Sequence, residues 1–435
     1  MEKSKKIIAY LLLYLTILLS VYNSHAQVRG VWVTNVASTA LDSKANIQAC
    51  VHNCKRIGIT DIFMVVYNNA TTMYPSRIMD SMWGIPIQAK YAGRDPLQEM
   101  ILAAHKQHIR VHAWFEFGFS SSYKAAGGII LKKKPSWAAI NSAGTLVTKN
   151  GFDWLNAFDP AVQAYMLSLI TEVVSNYNID GIQGDDRLPA CPSTAGYDDY
   201  TLNLYAAKHQ GAQPPINYKD TAWVQWRSNI LTQYLRQVYR AVKALKPQVL
   251  VTMAPSVYPW CKQEYLQDWP AWLQQGIVDL VMPQVYRYHA AAYDATIATL
   301  TSNIPSPYLH QCYPGVLQSL GNGYLASDTL TQYMVQHNRN QGYSGEVFFY
   351  YQGIAHDIAW YTQHYKHIQA HHNNATQELI IKVKNALKYI PHITVLYNQN
   401  KLMIIGTVTA QNKIKINQIL AAAMLTADVS KLYIQ

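Results

Sequence analysis

Cysteine is scarce in this sequence of 435 residues, and its spacing argues against metal binding and disulfide bridging. The five cysteines are an odd number, so a monomer with only intrachain bridges keeps at least one free thiol. No C-x-x-C pair and no His/Cys cluster with zinc spacing occurs in the sequence. Cys50 and Cys54 would lie one helical turn apart, which gives poor disulfide geometry. We therefore expect most of these residues to be buried small hydrophobes: Cys50, Cys54, Cys191, Cys261 and Cys312.

Apolar runs long enough to cross a membrane are also missing from the sequence. Residues 1–26 have the pattern of a secretory signal, with a lysine-rich start, the apolar stretch Ile7–Val21, and small residues at Ser24 and Ala26. The apolar stretch has about 15 residues and a bilayer span needs roughly 20, which favours a cleaved signal over a membrane anchor. We expect cleavage after Ala26 and a soluble mature protein in a periplasm or outside the cell.

Acidic residues are few, with 25 Asp and Glu against 36 Lys and Arg and a net charge of +11. A basic exported protein is attracted over a distance to anionic envelope polymers, although a generic solvated basic surface explains the charge equally well. Nucleic acid is not expected as a partner, because export removes the opportunity. Low-complexity tracts are absent, and with 50% hydrophobic residues the chain can bury a large core.

Short apolar runs alternate with longer amphipathic stretches from Val28 to about Ala370, a pattern typical of βαβ units and a parallel sheet. Eight such runs favour a closed (β/α)₈ TIM barrel over an open sheet, with the barrel domain at residues 27–370. The predicted strands are Val28–Thr34, Asp61–Tyr67, Arg110–Phe117, Gly181–Gly184, Val249–Ala254, Leu280–Gln284, Tyr308–Tyr313 and Gly345–Tyr351.

The tail differs from the barrel in composition, and we predict a small C-terminal α/β domain at residues 376–435 after a linker at 371–375. Seven lysines against two acidic residues make this domain basic, so it could attach the protein peripherally to the cell envelope. Its predicted elements are a helix Glu378–Leu387, strands His392–Tyr397 and Leu402–Val408, a helix Lys413–Leu425 and a short strand Lys431–Ile434.

Two adjacent acids end the fourth predicted strand, in the segment Asp180–Arg187 (DGIQGDDR). Glycosidic cleavage usually needs two carboxyl groups, one to protonate the leaving oxygen and one to attack or to activate water, and barrels place such groups at the carboxyl ends of strands. Because successive strand residues point to opposite faces, one of Asp185 and Asp186 is expected to face the barrel axis. Arg187 would lower the pKa of a neighbouring carboxyl and suit an ionised role. The alternative is a loop turn capped by Asp.

Glu116 ends the third predicted strand, in the segment His112–Gly118 (HAWFEFG). A Glu in apolar, aromatic surroundings is costly to bury unless it is paired or used. Such surroundings raise the pKa of a carboxyl group, which is how a general acid stays protonated. Trp114 offers a flat face on which a sugar ring can stack. The alternative is a Glu that forms a salt bridge with a neighbouring loop.

Further polar and aromatic residues at the strands predict a cleft suited to sugar hydroxyls, although packing explains any single one of them. We predict Glu116, Asp185 and Asp186 as catalytic residues. We predict no cofactor and no required metal ion, although an Asp pair at a strand tip could bind a divalent ion. The predicted substrate-binding residues are Arg29, Trp32, Tyr67, Asn68, His112, Trp114, Arg187, Gln284, Tyr286 and Tyr351.

From about Val28 to Ile354 the sequence resembles the glycosyl-hydrolase-like 10 family of bacterial proteins. The segments that carry the resemblance are Arg29–Trp32 (RGVW), Ala113–Gly118 (AWFEFG), Trp154–Asn156 (WLN) with Asp159-Pro160, Asp180–Asp186 (DGIQGDD), Trp226-Arg227, Leu266–Trp269 (LQDW) and Pro283–Arg287 (PQVYR). The resemblance implies a TIM-barrel glycoside hydrolase with Glu116, Asp185 and Asp186 in its site and bacterial envelope glycans, such as peptidoglycan strands, as substrates. The tail, with ITV at 393–395 and IGTV at 405–408, resembles a BON-like module, a small α/β unit of envelope proteins.

Two positions depart from the family's pattern. A His commonly follows the two acids where Arg187 stands, and the last strand commonly ends in an acid where Gln352 stands. If that acid is the nucleophile, this chain is impaired or relies on Glu116 instead.

Two functional hypotheses remain open. In the first, the protein hydrolyses β-linked glycans, N-acetylated ones included, with Asp185 as general acid, Glu116 as base or nucleophile and Asp186 in support, and these roles could be exchanged. In the second, it is a lectin-like barrel that has kept the cleft and lost turnover. Gln352 supports the second hypothesis, and the retained acids oppose it.

Overall fold

Eight parallel strands form the centre of the larger structural unit, which spans Val28–Ile368. The computed structural model describes residues 28–365, 368, 387, 390–391, 393–398, 401–422, 427–428 and 432–434, so the predicted signal at 1–26 and the linker at 371–375 lie outside the described residues. The strands are β1 (Arg29–Val33), β2 (Asp61–Val65), β3 (Arg110–Trp114), β4 (Gly181–Gly184), β5 (Leu250–Met253), β6 (Leu280–Val281 and Gln284–Val285), β7 (Gly315–Leu317) and β8 (Glu346–Phe349).

The barrel closes at β6, whose two halves lie at the two ends of the hydrogen-bonded strand order. From Leu280–Val281 the order runs through β5, β4, β3, β2, β1, β8 and β7 to Gln284–Val285. Between the halves stands Pro283, which has no N–H group to donate to a neighbouring strand. Because only two residues separate the halves, the sheet returns on itself. This confirms the predicted (β/α)₈ barrel class.

Helices follow the strands and cover the outside of the sheet. The helix Thr221–Leu245 shows how the sequence sets its bounds: the Asp220 carboxylate accepts a hydrogen bond from the backbone N–H of Trp223 at 3.0 Å, and Pro247 stands just beyond the end. The longer helices are Lys44–Ile57, Pro96–His105, Pro160–Asn176, Thr221–Leu245, Ala290–Asn303 and Asp328–Asn340. The shorter ones are Arg77–Trp83, Gly128–Lys133, Asp199–Lys208, Trp260–Tyr265, Trp269–Gln274, Tyr351–Ala355 and Ile358–Trp360, with 3₁₀ turns at Ala89–Tyr91, Pro135–Trp137 and Ser306–Gln311 and a π turn at Tyr361–Tyr365.

The strands are buried on both faces, which explains why the sequence shows continuous apolar runs instead of alternation. All five residues of β2 are buried. Two excursions leave the barrel at the carboxyl ends of strands. A hairpin of Tyr67–Asn68 and Thr71–Thr72 follows β2, and a three-stranded antiparallel sheet of Ser120–Tyr123, Thr148–Lys149 and Phe152–Trp154 follows β3.

The predicted seventh strand, Tyr308–Tyr313, is wrong. The chain forms a 3₁₀ helix at Ser306–Gln311, and β7 begins only at Gly315. Proline supplies the reason, because Pro305 and Pro307 fix the backbone φ angle and lack the N–H groups of a ladder, and Pro314 stands directly before the true strand.

Beyond residue 368 the described elements form a β-β-α-β-β arrangement. The strands Ile393–Asn398 and Lys401–Val408 pair as an antiparallel hairpin, and the helix Ala410–Ala422 follows. The short strands Ala427–Asp428 and Leu432–Ile434 both pair in parallel with Lys401–Val408. The predicted strands and second helix therefore form. Most of the predicted helix Glu378–Leu387 lies outside the described residues, and the BON-like resemblance and the domain boundaries stay predictions.

All five cysteine thiols are free and buried, which confirms that they act as small hydrophobic residues. Across the described ranges, no helix combines the length and the apolar character needed to cross a bilayer.

Candidate active site

Three carboxyl groups meet at the carboxyl ends of β3 and β4. These two strands are direct neighbours, with Trp114 in register with Gln183. Glu116 lies two residues beyond β3, and Asp185 directly follows β4. The side chains of Asp185, Glu116 and Asp186 are 1%, 17% and 23% exposed, so Asp185 forms the floor of the cluster while the other two face open space.

Arg187 lies between the three carboxylates and contacts each of them. Its Nη2 atom is 3.2 Å from Oδ2 of Asp185 and 3.6 Å from Oε1 of Glu116, and its Nη1 atom is 3.1 Å from Oδ1 of Asp186. The guanidinium also lies 4.7 Å from the ring centroid of Phe152. Burial alone lowers the pKa of Arg187, but the three carboxylates reverse this and raise the pKa above its ordinary value. Arg187 is therefore a permanent cation that holds the three acids together.

Backbone packing brings the two loops into contact at Gly118. This residue has a φ angle of +49°, and an added Cβ would overlap the carbonyl group of Arg187. A glycine at this position lets the loop that carries Glu116 lie directly against the loop that carries Arg187.

Asp185 accepts hydrogen bonds on both carboxylate oxygens. The backbone N–H of Arg187 donates to Oδ1 at 2.9 Å, and the Trp114 indole N–H donates to Oδ2 at 3.2 Å. Gln267 fixes the backbone here by donating to the Asp185 carbonyl at 2.7 Å. Burial raises the pKa of Asp185 well above its usual range, and the Arg187 charge opposes that rise. Asp185 thus orients Trp114 and Arg187 at the base of the cleft.

Glu116 is held by neutral donors from the first two strands. The Asn68 side-chain amide donates to Oε2 of Glu116 at 2.7 Å, and the Thr34 hydroxyl donates to the same oxygen at 3.4 Å. Asn68 also donates to Asn35, whose amide in turn donates to Gln88 at 3.3 Å. Burial raises the pKa of Glu116, and Arg187 and the hydrogen bonds from Asn68 and Thr34 oppose this rise.

Replacing Asn68 by Ala is expected to raise the pKa of Glu116 further, because the lost hydrogen bond favours the ionised carboxylate. Titration of ¹³C-labelled Glu carboxyl groups by NMR measures this pKa. We expect an accompanying loss of about 1 kcal/mol in the free energy of unfolding. Asn150→Ala is the matched control, because Asn150 donates to the Tyr265 hydroxyl and not to Glu116. A pKa of Glu116 that stays the same or falls in Asn68→Ala would contradict the assignment.

Aromatic rings form a wall beside the carboxylates, in which Trp32 and Trp114 are buried and Tyr286 and Phe349 are half-buried. Trp32 lies 6.4 Å from both Trp114 and Tyr286 between ring centroids, and Tyr286 stacks on Phe349 at 4.9 Å. The Trp32 indole donates to Gln183 at 2.6 Å inside the barrel. Burial, and after it the charges of Asp186, Asp185 and Glu116, raise the pKa of Tyr286 well above its ordinary value. The Tyr286 hydroxyl therefore stays protonated and can donate a hydrogen bond beside the carboxylates.

Four of the predicted binding residues lie away from the cluster of carboxylates. Arg29 is the first residue of β1 and so stands at the amino end of the barrel, opposite the acids. His112 is fully buried within β3 and bonds through Nε2 to Asp61 at 2.9 Å. Tyr67 is buried with its hydroxyl 3.3 Å from that of Tyr165 on an outer helix, and Tyr351 accepts a hydrogen bond from Asn53 at 3.0 Å on another.

The remaining predicted residues lie at the carboxyl side of the barrel. Trp32, Asn68, Trp114, Arg187 and Tyr286 contact the carboxylates or the aromatic wall as described. Gln284 on β6 is half-buried and donates from its amide to the Ala254 carbonyl at 2.9 Å.

Several residues of the site were missed in the sequence. Phe152 reaches Arg187 from the antiparallel excursion after β3, and no local pattern marks it. Thr34 and Asn35 follow β1 directly, so their place after a strand was an available signal. Gln88 had none, because it stands in the loop between the helix Arg77–Trp83 and the turn Ala89–Tyr91 and follows no strand.

Within the described ranges, no group of three or more His, Cys, Asp or Glu side chains is arranged to hold a metal ion. The three acids come together around a guanidinium, whose charge occupies the position that a cation would take.

Comparison with known proteins gives consistent matches over the barrel. Residues 27–316 match the model of the family described as glycosyl hydrolase-like 10. The glycosyl hydrolase DigH of Escherichia coli K12 is 25% identical over 338 residues, covering 67% of this chain and 73% of that protein. The glycosyl hydrolase YngK of Bacillus subtilis is 23% identical over 329 residues, covering 66% and 60%.

Solved structures share the fold at low sequence identity. The glycoside hydrolase domain of PgaB (BpsB) from Bordetella bronchiseptica superposes with a TM-score of 0.58 at 14% identity, covering 77% of this chain and 97% of that domain. The α-L-fucosidase isoenzyme 2 of Paenibacillus thiaminolyticus has a TM-score of 0.58 at 16% identity, covering 94% and 58%.

Proposed function

Because this chain belongs to the glycosyl hydrolase-like 10 family and is a glycoside hydrolase, we propose that it cleaves the glycan of a bacterial envelope, with peptidoglycan strands as substrate. The family match agrees with the resemblance that the sequence motifs carry. The observation that carries the proposal is the cluster of Glu116, Asp185 and Asp186 around Arg187, beside an aromatic wall at the carboxyl end of the barrel.

Exposure supports an assignment of roles within this cluster. A catalytic group has to touch the substrate, and Glu116 and Asp186 are accessible while Asp185 is buried beneath them. Burial raises the pKa of Glu116, which suits the general acid that protonates the leaving oxygen. Asp186, 3.1 Å from the Arg187 guanidinium, is the carboxylate that attacks or activates water. Asp185 then acts as a positioning residue for Arg187 and Trp114, a different assignment from the sequence hypothesis of Asp185 as the acid.

Export forms the second part of the proposal. It is supported by the basic, apolar and small-residue pattern of residues 1–26. Cleavage after Ala26 delivers the enzyme to the periplasm or the medium, where peptidoglycan is accessible. Peripheral attachment through the basic C-terminal domain stays a prediction.

Digestion of peptidoglycan tests the function directly. Exported protein beginning at Gln27 is incubated with purified peptidoglycan and with glycan strands stripped of their peptides, and the soluble products are identified by mass spectrometry. We expect saccharide fragments from both substrates, because the residues of the site suit sugar rings and not peptides. Release from intact peptidoglycan alone, or no release from either polymer, would contradict the proposal.

The lectin-like alternative has weaker support. Gln352, where the family pattern has an acid, is half-buried and accepts a hydrogen bond from the Ser38 hydroxyl at 2.9 Å. It therefore belongs to the packing of the loop after β1. Binding to the polymer without any product would make this alternative the better one.

A further inference from the structure

Exposed aromatic rings are concentrated at the end of the barrel that carries the carboxylates. In the part of the chain that the structure describes, the exposed aromatic side chains are Tyr123, Tyr200, Trp260, Tyr288 and Tyr333. Tyr123, Trp260 and Tyr288 lie on the segments that follow β3, β5 and β6, whereas Tyr200 and Tyr333 lie within the helices Asp199–Lys208 and Asp328–Asn340. Large exposed apolar groups that gather on one face mark a binding surface.

Trp260 lies near the catalytic cluster, next to the ring of Tyr265. Its indole is 48% exposed and lies 5.6 Å from the ring of buried Tyr265. Tyr265 is fixed by a hydrogen bond of 3.0 Å from Asn150 to its hydroxyl. Two residues further on, Gln267 donates to the backbone carbonyl of Asp185 at 2.7 Å, so the segment that carries Tyr265 packs against the loop of the acids. Trp260 therefore offers a ring face beside the cleft and outside its centre.

The charges near Trp260 compensate one another. Glu264 pairs with Lys149 at 2.7 Å and with Lys219 at 2.9 Å. Lys149 also lies 4.3 Å from the centroid of the Tyr265 ring. With one acid shared by two lysines and Asp186 nearby, this rim does not present a strong field of one sign. Such a surface leaves ring stacking, and not charge, as the main contact that it offers to a sugar.

Tyr288 continues the aromatic wall in the other direction. Its ring is 58% exposed and meets the ring of Tyr324, from the segment after β7, edge-on at 4.9 Å. Two residues earlier along the chain, Tyr286 stacks on Phe349 within the cleft. The pair Tyr288 and Tyr324 thus extends the surface of the site past the reacting position.

We propose that Trp260, and Tyr288 with Tyr324, are stacking subsites for sugar units beyond the cleaved bond, so that the enzyme binds a long glycan backbone through its sugar rings and cuts at internal bonds. The inference rests on the proposed function and deepens it. A short saccharide at the carboxylates leaves these rings in water, whereas a polymer covers them. Aromatic faces on rigid elements give such contacts at low entropic cost.

Binding to glycan strands of defined length tests the subsites without turnover. All variants are made in the Glu116→Gln background, and calorimetry compares long peptide-free strands with a disaccharide from the same polymer. We expect Trp260→Ala and Tyr288→Ala each to weaken binding of the long strands by about tenfold, and to lower the ratio of long-strand to disaccharide affinity. Tyr333→Ala, an exposed tyrosine on an outer helix, is the matched control and keeps the full ratio.

An unchanged ratio in both rim variants overturns the inference, as does an equal loss for the long strands and the disaccharide. Thermal melting of each variant separates a lost contact from a lost fold. If the parent releases no product from any glycan, the proposed hydrolysis fails, while the length dependence of binding still decides the subsites.

Discussion

Replacing Glu116 by Gln is expected to lower kcat on peptide-free glycan strands by at least about a hundredfold at neutral pH, with little change in folding. Gln keeps the shape of the side chain and an oxygen that can accept from Asn68, which donates to Glu116 at 2.7 Å. What it removes is the proton that the leaving oxygen needs. Product release followed by mass spectrometry measures the loss, and Asp294→Asn, a carboxylate change on an outer helix, is the control that keeps the parent rate.

A substrate with an activated leaving group separates the roles of Glu116 and Asp186. An aryl glycoside whose phenolate leaves without protonation needs no general acid but still needs the attacking or water-activating carboxylate. We therefore expect Glu116→Gln to recover most of the parent rate on such a substrate, and Asp186→Asn to remain inactive on both substrates. Recovery in Asp186→Asn with no recovery in Glu116→Gln would exchange the two roles.

Asp185→Asn is expected to lose activity by a different route. Both oxygens of Asp185 accept hydrogen bonds from N–H groups of Arg187 and Trp114. The side-chain NH₂ group of an Asn would point at one of these N–H groups and leave it without an acceptor. One unsatisfied buried group costs about 1–3 kcal/mol. Asp185→Asn should therefore unfold more easily than Glu116→Gln, which urea denaturation of the two variants compares.

Replacing Arg187 by Gln is the second change with a large expected effect, and it lowers the free energy of unfolding by about 3 kcal/mol at neutral pH. The guanidinium is nearly buried and contacts Asp185, Asp186 and Glu116. Without it, like charges lie close together in a poorly solvated site. Arg187→Lys keeps the charge but lacks the planar fork that reaches several carboxylates, so an intermediate loss is expected.

The loss in Arg187→Gln is expected to depend on pH. Burial raises the pKa of Asp185 and Glu116, and Arg187 limits the rise, so removing Arg187 raises these pKa values further. A carboxyl group with a raised pKa in the folded state binds its proton more tightly there than in the unfolded chain. Its contribution to stability is complete below the unfolded pKa of about 4 and is lost as the pH rises through the folded pKa. The loss of unfolding free energy in Arg187→Gln is therefore small at acid pH and grows towards neutral pH.

Urea denaturation of the parent and the variant across this pH range measures that dependence. Arg227→Gln supplies the matched control, because Arg227 is also buried but donates to the backbone carbonyls of Ser193, Ala195 and Tyr218, which do not titrate. The loss of unfolding free energy in Arg227→Gln should stay constant with pH. A constant deficit for Arg187→Gln as well would mean that packing on Phe152, and not the carboxylates, explains the role of Arg187.

The strand predicted at β4 is confirmed, whereas the one predicted at Tyr308–Tyr313 is wrong because of the prolines beside it. β4 was predicted to the residue at Gly181–Gly184, a short run of small and apolar residues that contains one polar side chain, Gln183. The run Tyr308–Tyr313 also contains apolar and aromatic residues, yet Pro305 and Pro307 begin a 3₁₀ helix there. The prolines are visible in the sequence, and their effect on strand formation should have counted for more in the prediction than the apolar residues.

The structure brings together the predicted site residues that follow β3 and β4, and it separates from them residues whose direction depends on packing. Glu116, Asp185 and Asp186 come together because neighbouring parallel strands end at the same edge of the barrel. His112 lies on β3 and Tyr351 follows β8, yet His112 bonds to Asp61 within the barrel wall and Tyr351 to Asn53 on a helix. The position of a residue in the sequence identifies the strand on which it lies. It does not identify how far the residue lies from the end of that strand or which side chain it contacts.

The sequence by itself determined the (β/α)₈ barrel and the pair of strand ends that carry the acids, because alternating apolar runs and residues after a strand are local properties of the chain. Only the tertiary structure decided that Asp185 is buried while Glu116 and Asp186 are accessible. It also decided that Arg187 joins all three, and that Phe152 and Gln88 support them. Exposure and charge coupling depend on which distant segments pack together, and no local pattern encodes that packing.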